Sequence, residues 1–187
     1  MTFYGLSGKN NDAELLIRNR LRSFGKSEIY LWKEMVSKDD LLFNQIYQLM
    51  FCDDPKIAWR AAWVIDQASE ADPVKLEPYV AGLIDLLPNL KSSALKRHFT
   101  RMINRHAIPE NRMGSLIDVL YNLLLPAEAI AVRANALEIL LKIALSEPEL
   151  RDELRCVTEA MLEEESTPGM ISKGKKILRL LKISDVR

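Results

Sequence analysis

At 187 residues the chain has room for one domain with a continuous core and too little for two ordinary ones. Its 26 Lys and Arg balance 26 Asp and Glu, which argues against a dedicated nucleic-acid binder with its usual basic excess. Two cysteines make no disulfide framework, no apolar run approaches the ~20 residues of a membrane span, and residues 1–11 lack a signal peptide's apolar core, so a soluble protein of the reducing cytoplasm is expected.

Proline and capping residues punctuate the chain and predict about ten helices, near 11–24, 27–37, 39–52, 54–69, 73–87, 91–105, 109–125, 127–145, 148–164 and 168–182. Asp54-Pro55 and Asp72-Pro73 read as an N-cap followed by proline at the first helical position. Pro109 and Pro168 open or precede helices, whereas Pro88 and Pro126 end them. No segment alternates with period two between hairpin turns, so no sheet is expected. Cys52 and Cys156 fall in apolar helical stretches and are expected as small buried hydrophobes.

Four of these helices carry one pattern, an apolar residue followed four, seven and eight positions later by small or apolar residues. The segments are Ile57-Ala61-Val64-Ile65, Leu95-Phe99-Met102-Ile103, Val132-Ala136-Ile139-Leu140 and Met170-Gly174-Ile177-Leu178. Their starts, 57, 95, 132 and 170, lie 38, 37 and 38 residues apart. Helical spacing inside a unit that recurs at such a period is the mark of an α-solenoid. The preceding helices match as well: leucine-rich runs end before Pro88, Pro126 and Pro168. One repeat is therefore a hairpin of a first helix (A) and a second (B). A lone hairpin cannot bury its apolar stripe, and stacked hairpins share one core.

These residues resemble the HEAT and armadillo repeat superfamily. Asp54-Pro55-Lys56-Ile57 with Ala61-Ala62 and Val64-Ile65 looks like the B helix of a HEAT unit, and Val132-Arg133 with Ala136-Leu137 and Ile139-Leu140 repeats it. Ala58, Phe99 and Gly174 depart from the pattern. The resemblance covers roughly 39–182 and implies a single all-α domain over 1–187. Its architecture would be a right-handed superhelix of about five helix pairs, with 1–38 as N-terminal capping helices and 39–182 as stacked pairs. It is specific for architecture and almost silent on function.

Chemistry is sparse. His98 and His106, eight apart, have no Cys or carboxylate near them and read as surface or helix-end residues. No phosphate loop, zinc spacing or nucleophile elbow appears, so no catalytic residue, cofactor or metal is expected. Thr167 to Lys175 loosely resembles the signature loop of the fumarase and adenylosuccinate lyase superfamily, but Thr167 and Pro168 stand at its serine positions and Lys175 at its asparagine. The carboxylates from Glu147 to Glu165 read as a solvated helix face.

The B helices are more basic than their A partners. Leu86 to Pro109 holds no acidic residue, and the last B helix carries Lys173, Lys175, Lys176, Arg179 and Lys182. At about 100° per residue, positions three, six and ten beyond each apolar anchor form a flank stripe separate from the core. It holds Arg60, Trp63, Arg101, Arg105, Lys142, Lys173 and Lys176, with Trp59 beside it, and Glu138 interrupts it. In HEAT-like solenoids the B helices line the concave face, so the resemblance implies a scaffold or adaptor that binds an acidic protein partner there. The alternative is a HEAT-like DNA-repair glycosylase or other DNA-binding solenoid, with Trp59, Trp63, Asp66 and Arg101 as candidates.

Overall fold

The computed structural model describes residues 7–164 and 167–184. Among them the chain forms ten α-helices, short 3-10 turns and no strand. It divides into two compact units, residues 1–78 and 79–187.

Unit 1 contains α1 (Ser7–Ser23), α2 (Ile29–Lys38), α3 (Asp40–Leu49) and α4 (Pro55–Ala71). Helix α4 is the hub, packed on the other three. It starts as expected: Asp54 accepts from the backbone N–H groups of Lys56 and Ile57 at 3.0 and 3.2 Å, and Pro55 occupies the first turn, where no N–H is needed. Asp54 also accepts from Arg22 of α1, and that hydrogen bond, with the backbone ones, holds its carboxyl below the usual carboxylate value. Asp39, which the sequence reading passed over, caps α3 through the Leu42 N–H at 3.0 Å.

Unit 2 contains α5 (Val80–Leu86), α6 (Ser93–Asn104), α7 (Glu110–Asn122), α8 (Ile130–Ser146), α9 (Arg151–Glu164) and α10 (Pro168–Ser184). Helix α5 pairs with α6, α7 with α8 and α9 with α10, while α6 packs on α8 and α8 on α10. The B helices of this unit therefore stack in order, as the repeat pattern requires. Helix α8 lies between α6 and α10 and also meets α7 and α9, which explains why it is apolar on most sides.

The repeat residues are the core. Ile57, Ala61, Val64, Ile65, Phe99, Met102, Ile103, Val132, Ala136, Ile139, Leu140, Met170, Gly174 and Ile177 are buried, with Leu95 and Leu178 half-buried at the edge. Gly174 shows what the small position is for. A Cβ placed there would lie 2.8 Å from a terminal methyl of Leu162 and 3.1 Å from its other methyl and its Cγ, so α9 approaches α10 closely at this point. Gly174→Ala therefore sets two terms against each other. Alanine gains about 0.8–1 kcal/mol of helix propensity, and the turned Leu162 loses about 0.5–1.5 kcal/mol. The expected net change is within about 1 kcal/mol of zero, whereas Gly174→Leu should cost about 1–3 kcal/mol by overpacking. Urea denaturation of both variants checks this; a loss above about 2 kcal/mol for alanine would mean that Leu162 cannot yield.

Several local expectations need correction. The segment 73–87 is not one helix: Pro78 lacks the N–H a helix interior needs and biases Glu77 away from helical geometry, leaving turns at Pro73–Lys75 and Glu77–Tyr79 before α5. Asp72 makes no side-chain cap. Cys52 is half-buried in the turn after α3, and Cys156 is exposed on α9. His98 is not at the surface but 1% exposed, and His106 is buried just past α6, its Nδ1 at 2.7 Å from the Met102 carbonyl. Helices α7 and α8 stop short of Pro126 on both sides, leaving residues 123–129 between them.

Candidate functional site

The residues of the flank stripe are distributed between the units. In unit 1, Arg60 is half-buried on α4. Its Nη1 donates to the Leu21 carbonyl at 2.7 Å and to the Arg22 carbonyl, at the last turn of α1. A cation placed there completes acceptors that the helix end leaves open and complements its dipole. The guanidinium also lies 5.2 Å from the centroid of Phe24 and 5.9 Å from that of Trp59. Trp63 stacks on Phe24 at 5.8 Å and on Trp59 at 5.9 Å, and Phe24 meets the buried Trp32 at 6.1 Å. The two indoles are thus half-buried members of one aromatic pile, partly covered by the N-terminal helices. Asp66 of α4 is wholly buried.

In unit 2, Lys142 of α8 reaches the end of α6. Its Nζ donates to the Asn104 carbonyl at 2.9 Å and to the His106 carbonyl at 2.5 Å. Burial holds its amine below the ordinary lysine value. Lys173 of α10 pairs with Glu138 of α8, the carboxylate that interrupts the stripe in sequence. Arg101 and Arg105 are half-buried on and just after α6, and Lys176 is exposed on α10.

A pattern connects these contacts. Arg60 bonds residues 39 and 38 positions earlier, Lys142 residues 38 and 36 earlier, and Lys173 a residue 35 earlier. Asn135, which the sequence reading missed, donates to the Arg97 carbonyl at 3.2 Å and the Thr100 hydroxyl at 3.0 Å, 38 and 35 positions back. All span about one repeat. Polar side chains of the stripe tie a helix to structure one repeat before it, and the repeat spacing of 37–38 was the available signal.

Unit 2 also has a cavity of about 550 Å³, a size typical of ligand pockets. It opens where residues 123–129 separate α7 from α8, with α9 forming the facing wall. Leu125 and Ile130 lie on it and remain 57% and 48% exposed. Val157 and Met161 face them from α9, with Glu164 at the end of that helix. Arg133, only 6% exposed, lines it and donates from Nε to the Leu124 carbonyl at 3.0 Å. The Tyr121 phenol is pushed up to about 12, by burial first and by the Glu153 carboxylate second. Helices over 109–125 and 127–145, as the sequence predicts, would leave no room for this cavity. Leu125 and Ile130, apolar beside Pro126, were its only sign.

Antiparallel helix hairpins at a constant period, with B helix stacked on B helix in unit 2, define the α-helical repeat class of interaction proteins. The HEAT repeat domain matches residues 17–181, so the chain belongs to the HEAT-repeat family. No curated protein matches it. No helix among the described residues is long and apolar enough to cross a membrane, and no cluster of three or more His, Cys, Asp or Glu there could hold a metal ion.

Proposed function

We propose that this protein is a non-catalytic scaffold or adaptor of the cytoplasm that binds an acidic protein partner on the basic face of its B helices. The observation that carries the reading is that α6 and α10 contain no acidic residue, while Lys175, Lys176, Arg179 and Lys182 of α10 are exposed. Cations accumulated on one face repel each other, and an anionic partner relieves that repulsion. Arg101, Arg105, Lys173 and Lys176 are the proposed contacts in unit 2, and Trp59, Arg60 and Trp63 those in unit 1. Arg60 and Lys142, each engaged with two carbonyls, and Lys173, paired with Glu138, contribute their positions more than their charge.

Affinity capture from native lysate with wild type and with Arg101→Glu/Lys176→Glu tests the proposal. Partners held by this face should weaken at least about tenfold in the variant, and more at low salt. Unchanged partners and affinities would remove the face from consideration. Duplex DNA binding at ~150 mM salt, or release of alkylated bases, would instead favour the glycosylase reading. The burial of Asp66 and the stacking of Trp59 on Trp63 leave that reading without an accessible base pocket at those residues.

A further inference from the structure

The cavity of unit 2 and the last turns of α10 pair apolar surface with apolar surface and a carboxylate with cations. The cavity presents apolar Leu125, Ile130, Val157 and Met161 beside the exposed carboxylate of Glu164. Among the described lining residues the one basic side chain is the buried Arg133, held by the Leu124 carbonyl, and the Glu128 carboxylate is paired with Lys96. Such a site suits an apolar side chain flanked by cations. Helix α10 ends in that arrangement: Ile183 is 51% exposed, with exposed Arg179 and Lys182 one turn before and beside it.

The two features cannot meet within one molecule. Thr167, which lines the cavity, immediately precedes α10, and Ile183 stands at the other end of the same helix. Fifteen residues separate Pro168 from Ile183, about 22 Å along a rigid helix axis. Complementary features fixed at opposite ends of one rod can be joined only between rods.

We infer that the chain associates head to tail with a second copy of itself, Ile183 of one copy entering the cavity of the next, with Arg179 and Lys182 facing Glu164. The two patches differ, so the contact is heterologous, and it extends into a chain of copies unless the rotation closes a ring. One apolar knob and a few exposed ion pairs make a small interface, weak and salt-sensitive. The contact shares Arg179 and Lys182 with the basic face of α10, whereas Arg101 and Lys176, the positions changed in the capture experiment, take no part in it.

Sedimentation velocity over a concentration series, at low and high salt, tests it with the whole chain. Two variants each remove one half of the contact: Leu125→Asp/Glu164→Lys in the cavity, and Lys182→Glu/Ile183→Asp on the knob. All four side chains are exposed, so far-ultraviolet circular dichroism should match wild type. The mass of wild type should rise with concentration and fall back with salt. Each variant alone should associate at least about tenfold more weakly. An equimolar mixture should form a one-to-one dimer that grows no further, since each variant keeps one intact half. A wild type that stays monomeric throughout, a variant that associates like wild type, or a mixture that stays monomeric would each overturn the inference. A synthetic basic amphipathic peptide that saturates the cavity of a strictly monomeric wild type would assign the cavity to a foreign partner instead. The lysate capture can be run on the cavity variant, which keeps every residue of the basic face, so loss of self-association is separable from loss of the acidic partner.

Discussion

Phe99→Ala is expected to destabilise the protein by about 3–5 kcal/mol, a large part of the stability of an ordinary domain. In the other repeats the same position holds Ala61, Ala136 and Gly174, so the family pattern would predict alanine to be welcome. The structure predicts the opposite. Phe99 has no exposed surface and is among the largest fully buried side chains, on α6 between α5 and α8. Truncation removes a ring of apolar surface and leaves a cavity that rigid neighbouring helices close only in part. Helix propensity returns less than ~1 kcal/mol and cannot offset it. Urea denaturation followed by circular dichroism reads the effect, with Phe99→Leu as a milder control. A cost below about 1 kcal/mol would show that the repeat consensus, and not the local packing, governs this site.

The second large effect concerns the stripe. Lys142→Met should cost about 2 kcal/mol, and Lys176→Met no more than about 0.5 kcal/mol. The two residues belong to the same sequence stripe but have different surroundings. Lys142 gives charged donors to the Asn104 and His106 carbonyls, the acceptors exposed where α6 ends. Methionine fills the space of the stem and avoids the desolvation of an ammonium, which lowers the cost. It cannot bond the two carbonyls, and that term is the larger, because hydrogen bonds to charged groups contribute about 1.5–3 kcal/mol. Lys176 is exposed and gives solvent nothing it lacks. Denaturation midpoints of the two variants, measured side by side, separate a structural tie from a surface charge. Equal midpoints would mean that the contact of Lys142 with α6 carries no stability.

The architecture was legible because it rests on local periodicity. Ile57, Ala61, Val64 and Ile65 lie on one face of any helix they form, so their spacing alone places them in the core, and the structure buries all four. The Asp54-Pro55 start was legible for the same reason, since a cap involves only neighbours in the chain. Asp72-Pro73 has the same residue types and makes no cap, because Pro78 disrupts the helix it would have opened. Local signals are reliable until a second local signal, a few residues on, competes with them.

The stripe was legible as a pattern but not as a set of roles. Sequence spacing placed Arg60, Lys142, Lys173 and Lys176 on one flank. Which of them meets a carbonyl, a carboxylate or water depends on what lies one repeat earlier at that height, and helix ends differ between repeats. The cavity lies further still from the sequence, since it exists only because α7 and α8 stop at Asn122 and Ile130 and α9 stands opposite. Residue order by itself determined the helices, their apolar faces and the repeat, all of which follow from contacts within a few turns. Tertiary structure alone decided the partners of each charge and the presence of a cavity, because those depend on distances between residues some 35–39 positions apart that no local spacing encodes.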